Sequence, residues 1–262
     1  MAAKSRSTIR SRSAGTKGGK LVQSRLHIGP QKTSLIKCCQ CEMTYSPSAL
    51  NDASAHRVYH DMHLKGRKWS SSWGTDVTSH QETVMLTPPS SSKSDSRFGQ
   101  NERIVMIRAA SAPEVKATME IMNIVNDELN APHDENEFWS LPGGQGKAFL
   151  YVKDNRAVGV VTVEVLGPSR GRWMVYESKS IIEHVRPTFL LGISRIWVCR
   201  TERHKNIATR LVEAARENTI YGRSIDKRQI AWSQPTDSGG KLAFRYNGTR
   251  HKSGKILIPC YI

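Results

Sequence analysis

The chain has 262 residues, of which 38% are hydrophobic, so it is long enough for one globular domain of about 150 residues and a smaller module. Its formal net charge of +16 predicts attraction to polyanions such as nucleic acid or acidic protein surfaces. No apolar stretch reaches the roughly 18 residues that cross a bilayer, and no signal-peptide-like apolar segment follows the basic N-terminus. These features exclude a wholly disordered or membrane-spanning chain and predict a soluble intracellular protein.

The first 34 residues form a predicted disordered arm. Residues 1–37 are rich in Ser, Gly, Lys and Arg and contain no acidic residue, so this segment cannot bury enough apolar surface to fold alone. The arm is a candidate contact for DNA or chromatin and a candidate nuclear address. Within it, Gln23-Ser-Arg-Leu26-His-Ile28 resembles a degenerate motif that binds the replication sliding clamp; the usual aromatic pair is missing, and chance occurrence is the alternative.

Residues 35–74 contain a predicted C2H2-type zinc finger with the pattern Cys38-x2-Cys41-x14-His56-x3-His60. Two thiolates on a tight turn and two imidazoles four residues apart on a helix can converge on one tetrahedral Zn²⁺. We therefore predict these four side chains as the zinc ligands. A single finger contacts about 3 base pairs, so a structural or docking role is as good an interpretation as base reading.

Two other side chains of the finger, Cys39 and His63, are competing ligands. Adjacent cysteines rarely chelate one ion, and the use of Cys39 would spoil the two-residue spacing of the thiolates. Tyr45 and Leu50 are expected to form the small apolar core around the metal. The few, unevenly placed cysteines argue against a disulfide framework.

Residues 75–101 are a predicted flexible linker, because Pro and Ser dominate the stretch 87–101. From residue 102 to residue 262, hydrophobic residues follow alternating strand and helix periods. Strands are predicted over 104–108, 148–152, 157–165, 193–200, 229–232 and 256–261, and helices over 115–129, 207–221 and 239–246. Residues 153–156 carry a hairpin signal. The pattern predicts an α/β (α+β) domain around a mixed central sheet.

A basic turn lies between the predicted strand 193–200 and the predicted helix 207–221. The first N–H groups of a helix lack internal partners and the helix dipole is positive at this end, so such a turn suits a pyrophosphate. The positive side chains around it are Arg203, His204, Lys205 and Arg210. The sequence therefore predicts that a phosphate-bearing cofactor binds here.

The order Arg203-x-x-Asn206-x-Ala208 resembles the acetyl-CoA signature of the Gcn5-related N-acetyltransferase superfamily, in which Gly usually stands in place of Asn206. Asn is the non-Gly residue best able to adopt the left-handed conformation. The stretches GISRIWVCR, RENTIYG, AWSQPTDSGGKLA and NDELNAPHDENEFW, together with the finger, resemble the cohesin acetyltransferases, which establish sister-chromatid cohesion. The resemblance covers the finger and nearly all of residues 102–262.

This resemblance implies a Gcn5-related N-acetyltransferase fold and transfer of acetyl from acetyl-CoA to lysines on the ATPase head of an Smc subunit of cohesin during DNA replication. It also implies association with the sliding clamp and a chromatin-associated location in the nucleus. The expected acetyl-CoA-binding residues are Trp197, Val198, Cys199, Arg203, His204, Lys205, Asn206, Ile207, Ala208 and Thr209. Direct transfer is the commoner superfamily chemistry, so we interpret Cys199 as a core residue rather than a nucleophile.

An attacking lysine amine has a pKa near 10.4 in water and must first lose a proton, so the reaction needs a base. The resemblance implies Glu213 as this base, with an ordinary exposed helix carboxylate as the alternative. Ser194 is a candidate for a hydrogen bond to the lysine or to a water, and Asp237 is a candidate for catalysis or for a helix N-cap. The segment His133-Asp134-Glu135-Asn136-Glu137, with its three carboxylates, and the long connection 167–192 are candidate parts of the substrate site.

Two other functions fit the same features. A histone acetyltransferase would differ only in its acceptor, which this sequence does not contain. A zinc-finger docking protein for chromatin or for the sliding clamp, with a weakly active acetyltransferase domain, is favoured by Asn206.

Overall fold

A mixed eleven-stranded sheet forms the framework of the molecule, and a two-stranded sheet lies in the finger. The computed structural model describes residues 35–78, 101–133, 138–141, 143–144 and 146–262. The strands are β1 (Ile36–Lys37), β2 (Thr44–Tyr45), β3 (Arg67–Lys68), β4 (Thr75–Asp76), β5 (Glu102–Met106), β6 (Gly146–Lys153), β7 (Arg156–Val165), β8 (Gly171–Val175), β9 (Ile181–Ile182), β10 (Leu191–Val198), β11 (Ile230–Ser233), β12 (Thr249–Arg250) and β13 (Ile256–Tyr261). The helices are α1 (Leu50–Lys65), α2 (Ala112–Leu129), α3 (Ile207–Asn218) and α4 (Asp237–Asn247). Two short 3-10 helices cover Arg200–Glu202 and Lys227–Gln229.

The strands of the main sheet follow the order β4-β5-β6-β7-β10-β11-β13-β8-β9, with β3 also on β7 and β12 also on β13. Helix α3 connects β10 to β11, and α4 lies between β11 and β13, so these three strands run parallel. The other neighbouring strands pair antiparallel. This arrangement confirms the predicted α/β architecture around a mixed sheet.

The predicted hairpin is formed by β6 and β7 at the centre of the sheet. Its turn residues Asp154 and Asn155 have φ values of 48° and 56°, and a type I′ turn requires positive φ at both positions. Both strands are buried along most of their length, as expected where helices cover the sheet. Gly159 on β7 lets α3 approach closely, because a Cβ there would lie 3.1 Å from side-chain atoms of both Ile207 and Leu211.

Residues 67–78 contribute two short strands to the main sheet, although the sequence predicts this range as part of the finger and the linker. Strand β3 pairs with β7, and β4 pairs with β5. Gly66 ends α1 with a φ of 75°, and a Cβ at this position would collide with the carbonyl oxygen of Ala157. This close approach places the C-terminal end of the finger helix against the central hairpin.

Every strand and helix predicted within residues 102–262 is present, with ends shifted by at most three residues. The strand predicted over 193–200 ends at Val198, and the helix predicted over 207–221 ends at Asn218. The sequence did not predict β8 and β9, which form a hairpin inside the connection 167–192, with β8 next to β13. This connection is therefore part of the sheet.

Three predictions concern residues outside the described part of the chain. They are the basic arm with its segment 23–28, the linker over 79–100 and residues 134–137 of the acidic segment 133–137. Among the helices that the structure does describe, none is both long enough and apolar enough to cross a membrane.

Candidate functional site

The four predicted zinc ligands converge in the finger. The Sγ atoms of Cys38 and Cys41 and one ring nitrogen each of His56 and His60 lie within 4.8 Å of one another. The Sγ atom of Cys38 is 3.5 Å from Nδ1 of His60. Zinc bonds of about 2.3 Å to sulfur and about 2.0 Å to nitrogen place neighbouring ligand atoms of a tetrahedral site about 3.5 Å apart. Small side-chain shifts would therefore let the four groups hold one zinc ion.

The surroundings of these ligands also suit a metal. Hydrogen bonds from the backbone N–H groups of Cys41 and Gln40 lower the pKa of Cys38 to about 6, which favours the thiolate that zinc binds. Burial raises the pKa of Cys41. The Nε2 atom of His56 is buried and has no hydrogen-bond partner among the described residues. A metal bond would satisfy this otherwise costly group.

The competing ligands lie apart from this quartet. Cys39 is exposed, and the buried His63 has its Nδ1 atom 3.7 Å from a carboxylate oxygen on α2. Tyr45 stacks on His56 with 3.8 Å between ring centroids, as expected for a core residue of the finger. The same expectation is wrong for Leu50, which is 87% exposed because it begins α1 away from the helix face that carries the histidine ligands.

A fork between β10 and β11 opens the middle of the main sheet. The two strands pair over residues 191–193, whereas residues 195–198 pair with β7 alone among the described strands. The edge of β10 that faces the fork therefore keeps backbone N–H and C=O groups without a strand partner. Such an edge can bind an extended amide-containing ligand through β-type hydrogen bonds.

Ser194 lies where the two strands separate. The register between β10 and β7 shifts from Ile193↔Val163 to Arg195↔Thr162, so Ser194 is the extra residue of a β-bulge. A bulge bends its strand and changes the direction of a side chain, and bulges are common next to active sites. The bulge thus explains how the Ser194 side chain can point in a different direction from the side chains of its neighbours on β10.

The N-terminal end of α3 forms a concave group of backbone donors. His204 and Asn206 have φ values of 66° and 63°, so the turn uses the left-handed region twice, and Asn adopts the conformation for which the superfamily usually has Gly. The N–H groups of residues 207–209 have no backbone acceptor among the described residues, and the Asn206 side chain does not cap them. Together with the helix dipole, these donors suit an anion.

Two basic side chains of this turn are paired with carboxylates. Arg203 donates through Nε to the carbonyl oxygen of Val198 at 2.9 Å and through Nη2 to Glu128. The ammonium of Lys205 lies 3.0 Å from Glu202. Neutralisation by these acids makes the turn less positive than a count of its basic residues predicts.

Three of the predicted cofactor-binding residues, Trp197, Val198 and Cys199, are buried at the end of β10. The indole of Trp197 donates to Oε2 of Glu128 at 2.7 Å, and the Cys199 N–H donates to the carbonyl oxygen of Val158 at 2.8 Å. Burial raises the pKa of the Cys199 thiol. A buried neutral thiol is a poor nucleophile, in agreement with the interpretation of Cys199 as a core residue.

Glu213 lies in an ion-pair cluster between α3 and α4. Its carboxylate oxygens are 2.6 Å from Nε of Arg216 and 2.8 Å from Nζ of Lys227. Burial raises the pKa of Glu213, but the hydrogen bonds from Lys227 and Arg216 outweigh burial and hold it below its usual range. The side chain is 27% exposed. Lys227 also lies 5.0 Å from the ring centre of Tyr246 on α4. The sequence did not predict these partners.

Asp237 is the first residue of α4 and is 85% exposed. The alternative that it caps this helix is wrong, because the hydroxyl of Thr236 accepts from the N–H of Gly239 at 3.2 Å. Asp237 instead pairs with Lys179, which holds the pKa of Asp237 below its usual range. Lys179 lies in the turn between β8 and β9, so the connection 167–192 contacts the beginning of α4.

The three predicted catalytic residues belong to different elements around the fork. Among the described residues, no hydrogen bond or ion pair joins Ser194, Glu213 and Asp237 to one another.

Tyr261, which the sequence predicted only as part of a strand, lies beside the fork. A Cβ at Gly192 would lie 2.7 Å from its ring, and its buried hydroxyl lies next to the side chains of Ser194 and Glu164.

Comparison with known proteins identifies the family of this chain. The chain matches the family model of the ESCO1/2 acetyl-transferase over residues 187–257 and that of the zinc-finger of acetyl-transferase ESCO over residues 23–62. It is 52% identical to the N-acetyltransferase ECO1 of Candida glabrata over 257 residues, which cover 96% of this chain and 98% of that protein. The chain belongs to the ECO1 family of N-acetyltransferases.

Other ECO1-family proteins extend the comparison. The N-acetyltransferase ECO1 of Saccharomyces cerevisiae is 49% identical over 275 residues, which cover 96% of this chain and 98% of that protein. The human N-acetyltransferase ESCO1 is 26% identical, with 90% of this chain and 27% of that protein covered. The solved xEco2 acetyltransferase domain bound to a CoA conjugate is 25% identical, with a TM-score of 0.50 and with 63% of this chain and 95% of that chain covered.

These similarities confirm three predictions made from the sequence. The first is the resemblance to this acetyltransferase family. The second is a Gcn5-related N-acetyltransferase fold preceded by a C2H2-type zinc finger. The third is the class of enzyme, an N-acetyltransferase. The roles of the individual site residues stay predictions.

Proposed function

We propose that this ECO1-family enzyme transfers the acetyl group of acetyl-CoA to lysine side chains on the ATPase head of an Smc subunit of cohesin, and so establishes sister-chromatid cohesion during replication in the nucleus. The observation that carries the acetyl-CoA part is the fork between β10 and β11 beside the N–H groups of residues 207–209, which have no backbone acceptor in the described part of the chain. Membership of the ECO1 family supports the acceptor.

Acetyl-CoA fits the fork because its pyrophosphate and its pantetheine arm need different partners, and the fork offers both kinds. The pyrophosphate would accept hydrogen bonds from the N–H groups of residues 207–209 at the positive end of the helix dipole. The amide groups of the pantetheine arm would pair with the open edge of residues 195–198 and bring the thioester to the bulge at Ser194. The residues proposed to contact acetyl-CoA are Trp197, Val198, Cys199, Arg203, His204, Lys205, Asn206, Ile207, Ala208 and Thr209.

In the proposed reaction, the neutral lysine nitrogen attacks the thioester carbonyl carbon, the C–S bond breaks, and CoA leaves as a thiolate that takes up a proton. Glu213, whose pKa is held low, is ionised at neutral pH and accepts the lysine proton directly or through a water. Ser194 hydrogen-bonds the lysine or this water. Asp237 contributes negative charge that favours approach of a cationic side chain.

Zinc has a structural role in this proposal. Cys38, Cys41, His56 and His60 would supply all four ligands of a tetrahedral zinc site, so no position would remain for a reacting group. Binding of zinc by these residues would stabilise the folded finger. The finger in turn contacts the chain just after β10, because Thr201 donates to the carbonyl oxygen of Leu64 at 2.8 Å.

The acceptor can be tested with the zinc-loaded full chain, labelled acetyl-CoA and a cohesin head complex in the presence of DNA and ATP, with histones as competing acceptors. We expect label on lysines of the Smc head. Label on histone tails alone would favour the histone alternative and contradict the proposed acceptor. No label on any protein, with CoA binding intact, would favour the docking-protein alternative.

A glutamate at position 209 should affect stability and ligand binding in opposite directions. Thr209 is in the first turn of α3, so Thr209→Glu places a carboxylate at the positive end of the helix and should stabilise the fold by about 0.5 kcal/mol. The same charge repels a pyrophosphate and should weaken CoA binding about tenfold. Thermal unfolding and calorimetry measure the two effects, with the neutral Thr209→Gln as control. Equal CoA affinity of the two variants would contradict the proposed site.

We also infer that the arm serves as a contact for chromatin and for the sliding clamp, the latter through residues 23–28. Family membership and the absence of acidic residues from the arm support this inference. Leu26→Ala should weaken binding of the full chain to purified clamp, measured by calorimetry, without altering acetylation of an isolated Smc head. If the clamp affinity of Leu26→Ala were unchanged, the similarity of residues 23–28 to the clamp-binding motif would be a chance resemblance.

A further inference from the structure

Glu128, next to the C-terminal residue of α2, connects three parts of the molecule. Its Oε2 atom accepts a hydrogen bond from the indole of Trp197 on β10 at 2.7 Å, and Oε1 accepts one from Arg203 in the turn before α3. Oε2 also lies 3.7 Å from Nδ1 of His63 on the finger helix. The carboxylate of Glu128 thus contacts β10, the turn before α3 and the finger.

Arg203 is held in a fixed orientation by two of its donors. Its Nε atom donates to the carbonyl oxygen of Val198, and its Nη2 atom donates to Glu128. Its Nη1 atom has no protein acceptor among the described residues, and the side chain is 36% exposed. A planar guanidinium fixed on two sides presents its remaining N–H groups in one direction, which suits a phosphate oxygen.

We propose that Glu128 is a positioning residue for cosubstrate binding, because it orients Arg203 toward the pyrophosphate and fixes Trp197 beside the open edge of β10. This inference rests on the proposed function, since it assumes that acetyl-CoA binds along β10 and α3. Glu128 does not touch the ligand in this account. It acts through the side chains of Arg203 and Trp197.

Two opposing effects decide whether a substitution at Glu128 weakens or strengthens CoA binding. A carboxylate near a phosphate site repels the ligand, so its removal alone would tighten binding. Its removal also frees a long Arg side chain, which must then lose rotamer entropy when the ligand binds, and leaves the buried Trp197 indole without its acceptor. We expect the second effect to dominate, because Glu128 makes a charge-assisted bond to Arg203 and a short bond to Trp197 at the same time.

The test compares Glu128→Ala and Glu128→Gln with the parent chain, all zinc-loaded and full-length, by calorimetry with CoA. Glu128→Ala should weaken CoA binding about tenfold, and Glu128→Gln should weaken it less because an amide oxygen can still accept from Trp197. Glu120→Gln is the matched control, since Glu120 lies on the same helix and pairs with Arg67 at 2.7 Å. It should bind CoA as the parent does.

A second measurement separates orientation of Arg203 from a general loss of structure. If Glu128 acts largely through Arg203, then Glu128→Ala should weaken CoA binding much less in an Arg203→Ala background than in the parent. Steady-state kinetics should show the loss in the KM for acetyl-CoA, with kcat changed by less than about twofold. Zinc content and thermal unfolding of each variant verify that it is folded, and the isosteric Glu128→Gln keeps the test available should the Ala variant unfold.

The outcomes are distinct. CoA affinity that is equal to or tighter than that of the parent in both folded Glu128 variants would overturn the positioning role and show that charge repulsion dominates. Equal losses in the parent and Arg203→Ala backgrounds would also overturn it. A parent chain that binds no CoA would instead overturn the proposed function, and this inference with it.

Discussion

Replacement of Glu213 by Gln is expected to lower kcat for acetyl transfer about 100-fold and to leave CoA affinity within about twofold. The side chain keeps nearly the same volume, and its single amide oxygen can still accept a hydrogen bond from Lys227 or from Arg216, so the fold should persist. What is lost is a group able to take a proton. Single-turnover acetylation of a saturating acceptor, with CoA binding measured separately, distinguishes the two quantities.

The protonation state of Glu213 supports the assignment of a base rather than an acid. Burial alone would favour its neutral form, but the ion pairs with Lys227 and Arg216 hold its pKa below the usual range of a glutamate. At neutral pH the group is therefore ionised and ready to accept a proton. Its low basicity limits the driving force, which is why the expected loss is near the lower end of the range for general-base catalysis.

The matched control for this variant is Glu217→Gln. Glu217 is also on α3 and pairs with the same Arg216 at 3.2 Å. Its replacement removes one acid near the cluster without removing the proposed base, and kcat should change by less than about threefold. Equal losses of kcat in the two variants would assign the effect to the ion-pair cluster and contradict a base role for Glu213.

Replacement of Cys41 by Ser is expected to abolish zinc binding by the finger. Structural zinc contributes an apparent binding free energy of about 10 kcal/mol or more in isolated fingers, so loss of a thiolate ligand should unfold α1. The main sheet should remain folded, because its buried core lies in residues 69–260 and excludes the metal ligands. Zinc analysis and hydrogen exchange of residues 35–65 measure the two effects. Cys39→Ser, at an exposed neighbouring thiol, should retain the metal.

Loss of the finger should also weaken acetyl-CoA binding. Arg200 donates to the carbonyl oxygen of Gln40, and Thr201 donates to that of Leu64, so the folded finger supports the segment between β10 and α3. We expect the KM for acetyl-CoA to rise several-fold in Cys41→Ser and to stay unchanged in Cys39→Ser. Loss of zinc in both variants would contradict the proposed ligand set, and an unchanged KM in zinc-free Cys41→Ser would show that the two modules act independently.

Local sequence signals predicted the elements whose residues specify them directly. The Asp154-Asn155 turn and the apolar residues on both sides of it define the central hairpin, and the spacing of two cysteines and two histidines defines the metal site. The short strands β3 and β4 were not predictable in this way. Each has two residues, and each is a strand only because it pairs with β7 or β5 far along the chain.

The electrostatic partners of the site were also beyond sequence reasoning. Glu128 and Arg203 lie 75 positions apart, and Lys179 and Asp237 lie 58 positions apart. No periodicity connects such residues, because their contact depends on how α2, the β8–β9 hairpin and α4 are placed around the fork. The sequence therefore predicted which residue types stand in the turn before α3, and the structure adds what orients or neutralises them.

Hydrogen exchange with and without CoA tests the central claim most directly. If the cosubstrate lies along the open edge of β10 with its pyrophosphate on α3, CoA should slow exchange of the amides of residues 195–198 and 207–209 in the zinc-loaded full chain, with little change in the finger ligands. Binding of CoA that leaves both segments unprotected, or that protects another part of the chain instead, would contradict it.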